Sequence, residues 1–250
     1  MSGLIMEKAV NGMKYLFFIS ILLIVAVNLN RVHARSAGPV DILKTVLAKQ
    51  NQINDYQVNI EIELDVDFIN MPVKHAVMYY KQPEKVKFKS NEFLMLPKRG
   101  LNFSLRKILK DDFTSIFAGY EYFDKRRHYI ITVIPTKKKS DIVLSTIWVD
   151  AELFIISKVE NNTRADGSYV IDFTYGDESN VLPAEMKITF QMAHFNIPLK
   201  FIGKPLEIDR QKLEKKEKKT GVVYIRFSNY KINAGVSDDI FDEDEERFRR

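Results

Sequence analysis

The side chains of this 250-residue sequence that could do chemistry are scattered, not gathered. His75, His128 and His194 stand far apart and in no metal-ligand spacing. Without a single cysteine there is no disulfide framework, thiol nucleophile or thiolate metal site. No phosphate-cradling glycine loop, serine nucleophile elbow or dinucleotide fingerprint is present. Glu61, Glu63 and Asp65 fall on the polar side of an alternating stretch, where water solvates them. Carboxylates from distant segments could still meet in the fold, but the residue pattern argues against an enzyme and against a metal or other cofactor. It leaves function to the apolar surface, and so to the elements that build that surface.

Two charged stretches test other partners. Residues 120–129 (YEYFDKRRHY) interleave aromatic and basic side chains as single-strand nucleic-acid platforms do, yet any amphipathic hairpin does the same. The run QKLEKKEKK from Gln211 belongs to a segment with six basic residues between Arg210 and Lys219. It reads as a solvated hairpin tip, with contact to anionic lipid headgroups as the sharper alternative. Nucleic acid is not an expected partner.

The first 34 residues read as an export signal. Lys8 and Lys14 precede an apolar core of about 13 residues at 15–27, too short for the roughly 20 that cross a bilayer as a helix. Val32-His33-Ala34 offers a small-residue cleavage pattern, so cleavage after Ala34 is expected, with an uncleaved anchor as the rival. Loss of three basic residues and one acidic residue lowers the formal charge from +5 to about +3. A Lys-, Ile- and Asn-rich chain exported without cysteine points to a bacterial periplasm. About 216 mature residues suit one large β domain, 35–241, with a charged insertion at 193–220 and a mobile charged tail at 242–250.

Residues 57–68 alternate without a break: Val58, Ile60, Ile62, Leu64, Val66 and Phe68 on one side, Gln57, Asn59, Glu61, Glu63, Asp65 and Asp67 on the other. Such alternation predicts a long strand with one buried and one solvated face. Further strands are predicted at 73–81, 85–90, 93–96, 128–134, 141–149, 153–160, 169–175, 186–190 and 222–232, with an Asp166-Gly167 turn between two of them. Helices are predicted at 40–53, with Val40, Leu43, Val46 and Leu47 on one side, and at 104–117, where Leu105, Ile108, Leu109, Phe113, Ile116 and Phe117 form a stripe. Two helices are few for so many strands. The apolar side of the sheet must therefore close on itself as a packed core, pair with a second sheet, or hold an apolar ligand under a helical lid.

The order of these motifs carries a resemblance. A helix ending in NQINDY, a long alternating strand, MYYKQPEKVKFKS, a helix, an IWVD strand, a D-G hairpin, LPAEMKITF and FSNYKINAGVSDDIF together resemble the periplasmic outer-membrane lipoprotein carrier family, LolA-like and outer-membrane lipoprotein-sorting proteins. The resemblance implies a mainly β fold with a few helices: a curved antiparallel half-barrel sheet lidded by helices. It also implies a periplasmic monomer that binds the acyl chains of lipoproteins or other lipids. Such a carrier moves them from an inner-membrane donor to an outer-membrane acceptor, without bond making. Val58, Ile60, Ile62, Leu64, Val66, Phe68, Phe88, Trp148, Met186, Ile188 and Phe190 are the expected lining. Leu105, Ile108, Leu109, Phe113 and Phe117 are the expected lid. By position, Pro83, Lys87 and Phe88 match the family's strand turn and the basic-aromatic step after it, and Trp148 and Asp150 match its tryptophan-x-aspartate strand end. Lys87 stands near a position where better-known carriers have arginine, and lysine cannot make the same bidentate contacts. The alternative is a periplasmic regulator of the same fold that binds another protein.

Overall fold

The alternating stretch becomes β1, Asp55–Asp65, with strand neighbours on both sides. A computed structural model describes residues 38–66, 69–90, 105–110, 112–123, 125–137, 140–164, 167–176, 181–191, 207–208 and 220–242. Before β1 runs the helix α1, Pro39–Gln50, with proline in its first turn where a missing N–H is harmless. Asp41 Oδ2 accepts the Gly38 N–H at 3.2 Å and closes that end. After β1 come β2 (Ile69–Asn70), β3 (Lys74–Lys81), β4 (Lys85–Lys89) and a short helix α2 (Leu105–Lys110). Then follow β5 (Phe113–Phe123), β6 (Arg126–Pro135), β7 (Ile142–Asp150), β8 (Ile156–Thr163), β9 (Ser168–Thr174) and β10 (Glu185–Gln191). The chain ends with β11 (Glu207–Ile208), β12 (Thr220–Ile232) and one turn of helix, α3 (Asp239–Asp242).

Ten strands form one curved open sheet in the order β4-β3-β1-β12-β10-β9-β8-β7-β6-β5, with every neighbouring pair antiparallel. β2 and β11 make a separate two-stranded ribbon. The predicted mainly β half-barrel is the fold observed.

The predicted helix at 104–117 is corrected. Only Leu105–Lys110 is helical, and Phe113–Phe123 is a strand paired along β6. The spacing misleads because Leu105 and Leu109 lie in a true helix, while Phe113 and Phe117, also four residues apart, share one face of a strand as they would nearly share one face of a helix. Further along, a bulge between Phe117 and Gly119, where Gly119 takes φ +125°, puts Phe117 and Tyr120 on one face, with rings 5.0 Å apart. Aromatic and β-branched residues through this stretch favour the strand.

The two faces of the sheet differ as the alternation requires. On the polar face Glu61 opposes Arg226 and Glu63 opposes Tyr224. Arg226 Nη1 lies 2.8 Å from Glu61 Oε1 and 2.9 Å from Glu63 Oε2, and its Nε lies 3.1 Å from Glu185 Oε2. On the other face α1 buries Ile42, Leu43 and Val46 against β6, β7 and β8. Each buried aliphatic side chain contributes about 1.5–3 kcal/mol. Among the described residues no helix is long and apolar enough to cross a membrane. The predicted export signal at 1–34, the strand at 93–96, most of the 193–220 insertion and the tail beyond 242 lie outside the described residues.

Candidate ligand-binding face

Strand register brings one apolar side chain from each of eight strands into a single row: Leu64, Val223, Ile188, Ile171, Val159, Ile147, Ile131 and Phe117. Alternation then places the residues two positions away on the same face. That face divides into two clusters. The first joins Ile131, Val133, Ile147, Val149, Ile156 and Val159 to Ile42, Leu43 and Val46 of α1 and Leu105 of α2. The second is built by strands: Val58, Ile60, Ile62, Ala76, Met78, Ile171, Met186, Ile188, Val223 and Ile225, with Phe88, Tyr169, Phe190 and Phe227 packed against it. No described helix contributes a residue to the second cluster.

Most of the predicted lining comes together there. Val58, Ile60, Ile62, Met186 and Ile188 are buried members of the second cluster, and Leu64, Phe88 and Phe190 pack against it. Val66 is buried just beyond β1, bridged to Ile69. Phe68 lies outside the described residues. Trp148 is a correction. Its neighbours Ile147 and Val149 face the helices, so Trp148 points to the opposite face. There its indole N–H donates to Glu121 Oε2 at 2.5 Å, and Lys158 Nζ sits 4.7 Å from the ring centroid. A cation over an indole and a carboxylate on its N–H hold the ring on the polar side.

The predicted lid divides as well. Leu105 is buried in the first cluster and Leu109 packs against it, whereas the side chain of Ile108 lies outside the described residues. Phe113 and Phe117 belong to β5 instead of a lid helix. Phe113 packs against the first cluster, and Phe117 is 39% exposed beside Tyr129. Arg106 of α2 donates through Nη2 to Asn51 Oδ1 at the end of α1, which ties the two helices together.

Three features were not read from the sequence. Tyr56 stacks on Tyr80, with centroids 5.0 Å apart, and meets Tyr230 edge-on at 5.7 Å, walling one end of the second cluster. Burial, and secondarily Tyr80, raises the Tyr56 phenol; burial, then Tyr56 and Tyr175, raises that of Tyr230. Both stay neutral in any physiological medium. The second feature is a buried polar couple within the apolar face, Ser145 and Asn161, paired across β7 and β8. The third is the β7–β8 turn, where buried Asp150 accepts the N–H groups of Glu152 and Leu153, each at 2.8 Å. Burial alone would raise the Asp150 carboxyl. The Leu153 and Glu152 N–H groups and the Arg126 guanidinium outweigh it and hold the group below the ordinary carboxylate range. The matched Trp148 and Asp150 thus build the strand end and its turn. Among the described residues no three His, Asp or Glu side chains gather to hold a metal ion.

A ten-stranded curved antiparallel sheet with helices on one apolar face can be compared with solved structures. An outer membrane lipoprotein-sorting protein domain from Vibrio parahaemolyticus superposes with a TM-score of 0.50 at 14% identity, covering 83% of this chain and 97% of that one. The fold is LolA-like. A LolA superfamily protein from Nitrosomonas europaea gives a TM-score of 0.49 at 13% identity over 81% of this chain and 98% of its own. A DUF1329 family protein from Desulfovibrio piger gives 0.47 at 13% identity over 83% and 99%. No family model and no curated protein matches the sequence. Here the described helices lie over one cluster of the apolar face, and no described helix contributes to the other.

Proposed function

We propose that this chain is a periplasmic carrier that holds the acyl chains of lipoproteins or other lipids against the second cluster and passes them towards the outer membrane. The observation that carries this reading is that cluster: ten buried apolar side chains from five strands, with no described helix packed on them. Apolar side chains at this density suit hydrocarbon, and the ring of tyrosines supplies an amphipathic wall. Sorting of outer-membrane lipoproteins, the role in the name of the Vibrio domain, is the role we carry over to this chain.

On this reading the protein makes and breaks no covalent bond. Export by residues 1–34, with cleavage after Ala34, leaves a single domain that works as a monomer without a cofactor. Binding requires the cluster to become accessible, since Val58, Ile171 and Ile225 are fully shielded from water. Direction comes from differential affinity among an inner-membrane donor, the carrier and an outer-membrane acceptor.

Native mass spectrometry of the mature protein, followed by solvent extraction, tests the reading. Near-stoichiometric lipid or acylated peptide is expected. Leu64→Lys, at the half-buried start of the row, should keep the fold by circular dichroism and lose that ligand. A clean ligand-free mass that also resists added lipid would sink the carrier reading. In that case retention of one specific envelope protein in a pull-down would point to a regulator of the same fold.

A further inference from the structure

Among the described residues, Asn161 is the one polar side chain on the apolar face that its surroundings do not satisfy. Its side chain is 0% exposed and that of its cross-strand partner Ser145 is 1% exposed. The Ser145 hydroxyl donates to Asn161 Oδ1. Nδ2 then has no hydrogen-bond partner. A buried amide N–H without an acceptor costs about 1–3 kcal/mol, so its place in the sheet calls for a reason.

Register gives that place. Along its row Asn161 lies between Ser145 and Tyr169, with Val133 and Phe190 one strand further on either side. Val133 belongs to the first cluster, whereas Tyr169 and Phe190 pack on the second, so Asn161 stands at the seam between them. Along its own strand Val159 continues the apolar face inwards. In the other direction Thr163 closes the strand, with its hydroxyl bonded to Gly167 O at 2.8 Å. Asn161 is therefore one step in from the polar rim.

We propose that Asn161 Nδ2 donates a hydrogen bond to the carbonyl that joins an acyl chain to its headgroup. This inference rests on the acyl-binding reading. The free group is a donor, so its partner is an acceptor. A phosphate or carboxylate here would be stripped of water among Val133, Val159 and Ile147 at a prohibitive cost. A neutral ester or amide carbonyl suffers no such penalty. One step from the rim is also where the junction between chain and headgroup falls when the chain lies over the clusters and the headgroup stays in water. Ser145 is the positioning residue, because its hydroxyl engages Oδ1 and leaves Nδ2 for the ligand.

The test compares two probes that differ by one carbonyl: palmitoyl lysophosphatidylcholine, an ester, and its hexadecyl ether analogue. Calorimetric titration of the mature protein should show the ester bound about fivefold tighter, the net worth of one neutral hydrogen bond. Asn161→Leu should bind the ester no better than the ether, while ether affinity stays within twofold. Ser145→Ala should reduce the preference without abolishing it. Equal affinity of the native protein for both probes overturns the inference and leaves acyl binding standing. So does an ester preference that persists in Asn161→Leu. If neither probe binds the native protein, the acyl-binding reading fails and takes this inference with it. The native ratio decides even if a variant does not fold.

Discussion

Replacing Asp150 tests whether the β7–β8 turn is held as its geometry implies. The carboxylate is 2% exposed and accepts two backbone N–H bonds of 2.8 Å from the turn it begins. Its second oxygen lies 3.3 Å from Arg126 Nη1. The turn needs this support. Phe154 is held at φ +51°, where a bulky side chain is strained, and Lys49 of α1 donates to Leu153 O, so the turn also anchors the helix. A hydrogen bond to a charged group is worth about 1.5–3 kcal/mol, and two such bonds to one carboxylate are not fully additive. Asp150→Ala should therefore cost about 3 kcal/mol, or about 6–12 °C in Tm for a chain of this size. Asp150→Asn keeps an oxygen for the two N–H groups and loses only the charge, so about half that cost is expected. The folded carboxyl lies below its ordinary value of about 3.9, so its stabilisation is full above that value and disappears as pH falls through the folded one. The gap between native and Asp150→Ala protein should accordingly narrow below about pH 4. Thermal unfolding by circular dichroism between pH 3 and 7 measures all of this. A cost under about 1 kcal/mol at pH 7, or a gap that widens in acid, would refute the account.

Three further outcomes are expected. Arg226→Leu leaves Glu61, Glu63 and Glu185 facing one another without their shared cation, whose own pKa their hydrogen bonds raise. Its Tm should fall at low salt and recover in part with added sodium chloride, with lipid binding unchanged. The Asp238 carboxyl, pulled down to about 2 by hydrogen bonds from Lys81 and Lys85, should titrate by NMR near that value. Its hold on the segment before α3 is then lost only as pH falls through about 2, whereas Asp238→Asn should expose residues 238–242 to proteolysis at pH 7. Combined Ser145→Ala and Asn161→Leu should stabilise the ligand-free protein by about 1–2 kcal/mol, seen as a higher Tm, since an unsatisfied buried amide is removed with its partner.

Much of the fold is legible in the sequence because one physical signal, period-two alternation, survives wherever one face is wet and the other dry. Val58 to Leu64 show it cleanly: Glu61 and Glu63 meet Arg226 on one side while Ile60 and Ile62 enter the core on the other. The signal fails where both faces are apolar. In Ile142–Asp150, Ile147, Trp148 and Val149 are consecutive and all buried, so pattern alone does not say which face the indole takes. Only the positions of Glu121 and Lys158, supplied by other strands, decide it. It fails again at Phe113 and Phe117, which share a strand face four residues apart and so continue the spacing of Leu105 and Leu109 in the helix before them. Asn161 could not be found by pattern because polar residues in a strand are assigned to the wet face. Its inward orientation follows from Val159, two residues earlier, and becomes visible only with the register in hand.

The two faces of this sheet answer different demands, and the contrast bears on where function lies. Charged groups of the outer face have partners within reach: Arg226 with three carboxylates, Trp148 with Glu121, Asp150 with two backbone amides. Such a face is explained by folding alone, since removing any partner leaves a charge or dipole worse off. The inner face has no equivalent need for polarity. A leucine at 161 and an alanine at 145 would pack in place of the couple and leave no buried amide without an acceptor. A polar group that folding does not require, set at the seam of two apolar clusters and one step from the rim, is explained by a ligand that supplies the missing acceptor. That makes Asn161, rather than the more conspicuous Trp148, the residue on which a specific ligand would leave its mark.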